Sequence, residues 1–156
     1  MPHLVTLAAA RETAGIAVRT NNAREQASGG AGIGSAWQQF YARDLLATLA
    51  AKPLPLGVYT DYESDAAGEY TLVAAVEPRH DAAMPADLRR VTIPAGAYLV
   101  FEGSGEMPRV VMDTWGEVWR YFAQPGGEYR RAYATDFEEY VAGDAVRIYI
   151  GVVRAN

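Results

Sequence analysis

Thr60-Asp61-Tyr62-Glu63 reappears as Thr135-Asp136-Phe137-Glu138, 75 residues further along the chain. The register extends beyond these four positions. Gly68-Glu69 falls on Gly143-Asp144, and Leu72-Val73-Ala74-Ala75-Val76 falls on Arg147-Ile148-Tyr149-Ile150-Gly151. Upstream the match loosens, because Tyr59 aligns with Ala134, one residue past Tyr133. Further back, Val5-Thr6-Leu7 resembles Val91-Thr92-Ile93 at a longer offset, so the first half holds extra residues, which the segment 21–34 can absorb. Self-similarity at a fixed period is the mark of a repeated structural unit.

Each copy carries the same series of local signals. Residues 3–8 and 14–20 are rich in Val, Ile, Leu and Thr around Glu12-Thr13-Ala14-Gly15, which reads as two strands and a turn. Residues 90–94 and 97–103 repeat this around Pro94-Ala95-Gly96. A helix follows in each half. The first is expected from Ser35, a good N-cap, to Ala51, with Trp37, Phe40, Tyr41, Leu45 and Leu49 at helical spacing and Pro53 beyond its end. The second carries the stripe Val111, Trp115, Val118, Trp119 and Phe122, closed by Pro125-Gly126-Gly127. Hairpins end both halves, Gly57–Glu63 to Tyr70–Val76 and Arg131–Tyr140 to Val146–Val153, with residues 77–87 as the connection. The expected architecture is therefore α+β: a duplicated β-β-α-β-β chain in one domain spanning 1–156, with repeats at about 1–76 and 90–153. Units of about 75 residues bury little alone, so they are expected to pair about a pseudo-two-fold with a ligand cleft where they meet.

Composition narrows the chemistry. The formal charge is −5, from 19 acidic and 14 basic residues, and no basic run is longer than Arg89-Arg90 or Arg130-Arg131. A phosphate track needs more positive charge, so direct nucleic-acid binding is disfavoured and a cationic partner mildly favoured. There is no cysteine, which removes disulfides, thiolate metal sites and a Cys nucleophile. The N-terminal residues show no secretory pattern and no apolar run approaches ~20 residues, so a cytoplasmic protein without membrane contact is expected. His3 and His80 are the only histidines, which argues against a Ser-His-Asp triad and a histidine-rich metal site. Gly29-Gly30-Ala31-Gly32-Ile33-Gly34 lacks the Gly-Lys-Ser/Thr ending of a phosphate loop and reads as a flexible entry loop able to cover the groove. No cofactor, metal or catalytic residue is expected.

The acids and aromatics remain. Glu138 and Glu139 lie in the strand-like stretch DFEEY, where successive side chains face opposite sides, so one of them points inward unless both are solvated at a strand end. Glu63 has the same ambiguity. A carboxylate among aromatic rings is costly unless it is paired or receives a cation. Three Trp, ten Tyr and four Phe supply ring faces for such a cation, at ~0.5–2 kcal/mol per contact. On spacing alone Trp115 is better read as core, while Trp119, one turn further, reaches the groove edge.

The segments VTIPAGAYLVFEGSGEMP (91–108), DTWGEVWRYF (113–122), DFEEY (136–140) and YIGVV (149–153) resemble the GyrI-like effector-binding domains. These also serve as drug-sensing domains of AraC- and MerR-type regulators. The stand-alone integron-cassette members are the most similar in Asp61-Tyr62-Glu63-Ser64-Asp65 and Asp136-Phe137-Glu138-Glu139-Tyr140. The resemblance covers essentially the whole chain and implies the duplicated, SHS2-like fold. It also implies a lipophilic cationic ligand held by an acid in an aromatic cleft. That role falls on Glu138 rather than Glu139, with Phe137 and Tyr140 beside it, the helix tryptophans Trp37, Trp115 and Trp119 around it, and Tyr59 and Tyr133 from the hairpins.

Three functions stay open at this point. The leading one is non-enzymatic binding of hydrophobic cations; the runner-up is hydrolysis of electrophilic compounds with Glu138 activating water beside a tyrosine. The third is a regulatory subunit acting in trans through a protein partner, since 156 residues hold no DNA-binding module beside this domain. A homo-oligomer is compatible with all three.

Overall fold

The computed structural model describes residues 2–155. Twelve elements follow in the order β1 (His3–Leu7), β2 (Arg11–Thr20), α1 (Asn22–Ser28), α2 (Ala31–Ala42), α3 (Leu45–Thr48), β3 (Leu56–Thr60), β4 (Tyr70–Val76), β5 (Arg89–Ile93), β6 (Gly96–Ser104), α4 (Arg109–Ala123), β7 (Tyr129–Ala142) and β8 (Ala145–Arg154). The strands form one sheet in the order β1-β6-β8-β7-β3-β4-β2-β5, with every pairing antiparallel. Exchanging the first four strands for the last four turns this order into its own reverse. The expected α+β architecture is observed, and the junction of its halves is the β3–β7 pair at the centre of the sheet.

Two strand expectations need correction. β1 and β2 do not pair with each other, and neither do β5 and β6 across Pro94-Ala95-Gly96: β1 pairs with β6 and β2 with β5. The link between β1 and β2, Ala8-Ala9-Ala10, contains none of the residues at positive φ that a two-residue hairpin demands. It bends one long ribbon instead of reversing it. Glu12-Thr13-Ala14-Gly15 is likewise not a turn but part of the first half of β2. Gly15 is needed there because a Cβ would lie 1.9 Å from the Ala74 carbonyl oxygen of neighbouring β4.

Side-chain alternation gives the sheet two covered faces. Leu72, Ala74 and Val76 of β4 and Ile148, Ile150 and Val152 of β8 join Phe40, Leu45 and Val118 beneath the helices. Leu56, Val58, Val73, Val91, Ile93, Tyr98 and Phe137 form a second cluster on the other face. Helices do not contribute to that second cluster; strands from both halves curl over to close it. β4 is buried at all seven positions for this reason.

The first helical region also departs from expectation. Residues 21–34 are not a flexible loop: Asn21 caps α1 by accepting the Arg24 N–H at 2.7 Å, and Gly29 (φ 68°) ends it. Gly30, also at positive φ, starts α2, so Ser35 lies inside that helix rather than capping it. Asp44 in the left-handed region (φ 52°) then breaks the expected 35–51 helix into α2 and α3. Leu45 and Leu49 stay buried across the break, which is why the apolar stripe reads as continuous. α4 falls where its stripe places it. Since α2 rests on β2 and β4, and α4 on β6 and β8, the central β3–β7 pair is left open between the helices.

Candidate functional site

That opening is a cavity of about 1150 Å³, above the ~300–1,000 Å³ of common small-molecule sites. Its floor is Tyr59 of β3, Tyr70 of β4, and Glu138 and Tyr140 of β7. Ile33, Trp37 and Tyr41 of α2 form one wall and Val111, Trp115 and Trp119 of α4 the other, while Asn22 and Glu25 of α1 close one end. The rings contact one another edge-on: Trp37 meets Tyr140 at 5.3 Å, and Tyr59 meets Trp115 at 5.1 Å between centroids.

Glu138 is 1 % exposed and sits at the centre of this floor. Its Oε2 accepts hydrogen bonds from Tyr59 Oη at 3.0 Å and Trp115 Nε1 at 2.6 Å, and its Oε1 accepts one from Tyr140 Oη at 2.9 Å. All three donors are neutral, and no basic residue pairs with it among the described residues. Burial therefore raises the carboxyl above its ordinary value of 4.5, against the pull of the donors from Trp115, Tyr140 and Tyr59. Burial first, and the Glu138 charge second, also push Tyr59 and Tyr140 well up, so both phenols keep the protons they donate. Space for the carboxylate comes from the opposing strand. Gly57 pairs with Glu138, and a Cβ there would lie 2.4 Å from Oε1.

A second charged group stands beside the first. Arg131 Nη2 donates to Asp136 Oδ2 at 2.6 Å, with side chains 6 % and 0 % exposed. Asp136 also accepts from the Gly151 N–H at 2.8 Å and from Tyr62 Oη. The guanidinium lies 4.4 Å from the Tyr133 ring centroid. Arg131, the one cation lining the cavity among the described residues, is thus already neutralised, which leaves Glu138 and Glu25 to set its charge.

Six of the eight residues expected at the site line this cavity: Glu138, Tyr140, Tyr59, Trp37, Trp115 and Trp119. Phe137 does not. It points to the opposite face, fully buried and stacked on Tyr149 at 4.3 Å, because it is one residue out of phase with Glu138. Tyr133 stands behind the wall, against Tyr62 and Arg131. Trp115 is both core and cleft, correcting the choice between them: it is 7 % exposed and its indole N–H bonds Glu138. Neither member of the Glu138–Glu139 pair is solvated. Glu139 is buried on the far face in an ion pair with Arg11 at 2.9 Å. Tyr62 and Tyr70, two of the hairpin tyrosines, line the cavity as well, and Glu25, Arg131 and Gly57 were not anticipated. The paired asparagines at 21 and 22 were the available signal for a helix that would have carried Glu25 inward.

Among the described residues, neither histidine lines the cavity, and there is no group of three or more His, Cys, Asp or Glu able to hold a metal. No described helix is long and apolar enough to cross a membrane.

Residues 5–152 match the family described as Cass2, the integron-associated effector binding proteins. The chain belongs to this family. Its fold is shared with an integron cassette protein from the mobile metagenome of Vibrio cholerae, at 36 % identity and a TM-score of 0.84, over 97 % of this chain and 95 % of the other. YobU of Bacillus subtilis (strain 168), provisionally named a transcriptional regulator, is 29 % identical over 137 residues, 85 % of this chain and 82 % of its own. SAV2435, solved with tetraphenylphosphonium bound, has the same fold at 24 % identity and a TM-score of 0.72, covering 98 % of this chain and 94 % of the other. The family match groups the chain with effector-binding proteins.

Proposed function

We propose that this member of the effector-binding family is a single domain that binds lipophilic cations in the cytoplasm, with Glu138 as the counter-charge and the surrounding rings as the contact surface. The observation that carries this reading is a carboxylate 1 % exposed, held by three neutral donors and without a basic partner among the described residues. Such a group is unfavourable alone and favourable once a cation arrives. A carboxylate has about four acceptor sites; three are taken by the donors, so capacity is left for a ligand. That SAV2435 holds tetraphenylphosphonium in a similarly built chain supports the same class of ligand. YobU's provisional name favours a second role built on the first, in which occupancy is relayed in trans to a protein partner.

The test is a calorimetric titration of wild type and Glu138→Gln with a cationic aromatic dye and a neutral dye of matched shape. A hydrogen-bonded charge pair contributes about 1.5–3 kcal/mol, so the substitution should weaken the cation by roughly 30-fold and the neutral dye by less than about threefold. Equal losses would overturn the charge-pairing reading. Mass spectrometry of the recovered dye checks that it leaves unaltered; turnover would instead favour hydrolysis.

A further inference from the structure

Glu25 is a second carboxylate on the same cavity, contributed by α1 rather than by the sheet. It is 9 % exposed and, like Glu138, has only neutral donors: Thr20 Oγ1 and the Ile33 N–H, the latter at 2.9 Å. The chain leaves room for it as it does for Glu138. A Cβ on Gly32 would lie 2.6 Å from Glu25 Oε2, matching the 2.4 Å clearance that Gly57 provides for Glu138.

Tyr70 stands between the two acids. Its ring is 5.4 Å from that of Tyr59, which bonds Glu138, and its hydroxyl donates to Asn22 Oδ1 on the helix that carries Glu25. Burial, then the charges of Glu25 and Glu138, raise its phenol to about 12, so both carboxylates act on this one ring. With Arg131 neutralised by Asp136, the cavity holds two carboxyl groups at separate places, neither paired with a basic residue among the described residues, in a volume of about 1150 Å³. A single compact cation answers only one of them.

We infer that Glu25 forms a second cation subsite, and that the cleft prefers elongated lipophilic dications with one positive group at each carboxylate. The inference rests on the proposed binding function and names its ligand class more narrowly.

The probes are polymethylene-bridged bis(trimethylammonium) compounds of increasing length, each compared with the alkyltrimethylammonium of equal carbon count. Wild type should favour the dication by about tenfold through the added Coulombic attraction at one optimal length, and Glu25→Gln should bring that ratio to within about twofold. A ratio unmoved by Glu25→Gln, or no optimal length, overturns the second subsite. If Glu138→Gln then still weakens the monocations, the binding reading survives that failure. Monocations indifferent to Glu138→Gln would sink the binding reading itself. Circular dichroism reports whether Glu25→Gln folds. If it does not, Glu25→Asp keeps the charge on a shorter arm and should move the optimum to a longer chain; an unmoved optimum refutes the proposal.

Discussion

Asp61-Tyr62-Glu63 and Asp136-Phe137-Glu138 are nearly the same tripeptide, yet the fold uses them in opposite ways. In the second half all three residues lie inside the 14-residue strand β7, so alternation buries Phe137 on one face and Asp136 and Glu138 away from it. In the first half β3 stops at Thr60, and Asp61 turns into the left-handed region at φ 52°. Glu63 then leaves the sheet for an exposed loop, where it accepts the Glu69 N–H at 3.3 Å. Tyr62 bends back to donate a hydrogen bond from its hydroxyl to Asp136 of the other half. A repeat in sequence therefore yields one acid at the floor rather than two. Symmetry builds the cleft, and the departure from symmetry sets its charge.

The largest expected difference between the halves is in stability. Arg131 pairs with a fully buried Asp136, whereas Arg89 pairs with Asp61 at 2.7 Å with side chains 41 % and 48 % exposed. Removing one member of a buried pair strands the other charge at a cost of about 3–5 kcal/mol, while exposed pairs contribute ~0–1 kcal/mol. Arg131→Met should therefore lower the urea unfolding free energy by at least ~3 kcal/mol, and Arg89→Met by under ~1 kcal/mol. Equal losses would show that the two tripeptides are energetically alike after all. In binding, Glu63→Gln should leave cationic-dye affinity within about twofold of wild type, against the roughly 30-fold loss expected for Glu138→Gln. Similar losses in both would place Glu63 in the cleft when ligand is bound.

The same comparison explains what could be read from the residues. Strand and helix types were legible because Leu72 to Val76 is an unbroken apolar run and the Trp115–Phe122 stripe has helical spacing, and the repeat divided the chain into two halves. Which strands pair was not legible. Whether β1 joins β2 or β6 is decided by a bend at residues 8–10, and alternation is satisfied either way. Glu138 was recognised by resemblance, with strand phase unable to separate it from Glu139. Phase does reject Phe137, which cannot share a face with Glu138 in an unbroken strand. Glu25 and Arg131 were hidden because long charged side chains are most often solvated. Only the third dimension shows that Thr20 and Ile33 hold one of them inward and Asp136 the other.

Gly57 offers a finer probe of the asymmetry. The residue 75 positions on is Ala132, which is exposed on β7, so a methyl group is accepted in one half. In the other, the Gly57 Cβ would press on Glu138 Oε1 at 2.4 Å and approach Trp37 at 3.5 Å. Overpacking of this kind costs about 1–3 kcal/mol. Gly57→Ala should lower stability by that amount and weaken cation binding several-fold by displacing the carboxylate, while Ala132→Gly should cost ~0.5–1 kcal/mol and leave binding alone. A thermal melt and a dye titration on each variant measure both effects. Intact binding in Gly57→Ala would mean that the carboxylate position matters less than its charge.

The smallest effect expected is a dependence on pH. Burial holds the Glu138 carboxyl above 4.5, so the empty protein favours its protonated form more than the unfolded chain does. The contribution of this group to stability is then fully present below the ordinary value and is lost as pH rises through the raised one. Cation binding runs the other way, since only the ionised form attracts the ligand, and affinity should fall as pH drops through that same window above 4.5. A bound cation should in turn pull the carboxyl back down, so binding releases protons within the window. Calorimetry in buffers of different ionisation enthalpy reads that release directly. It should vanish in Glu138→Gln and persist in Glu63→Gln; persistence in both would show that Glu138 is not the group that titrates with the ligand.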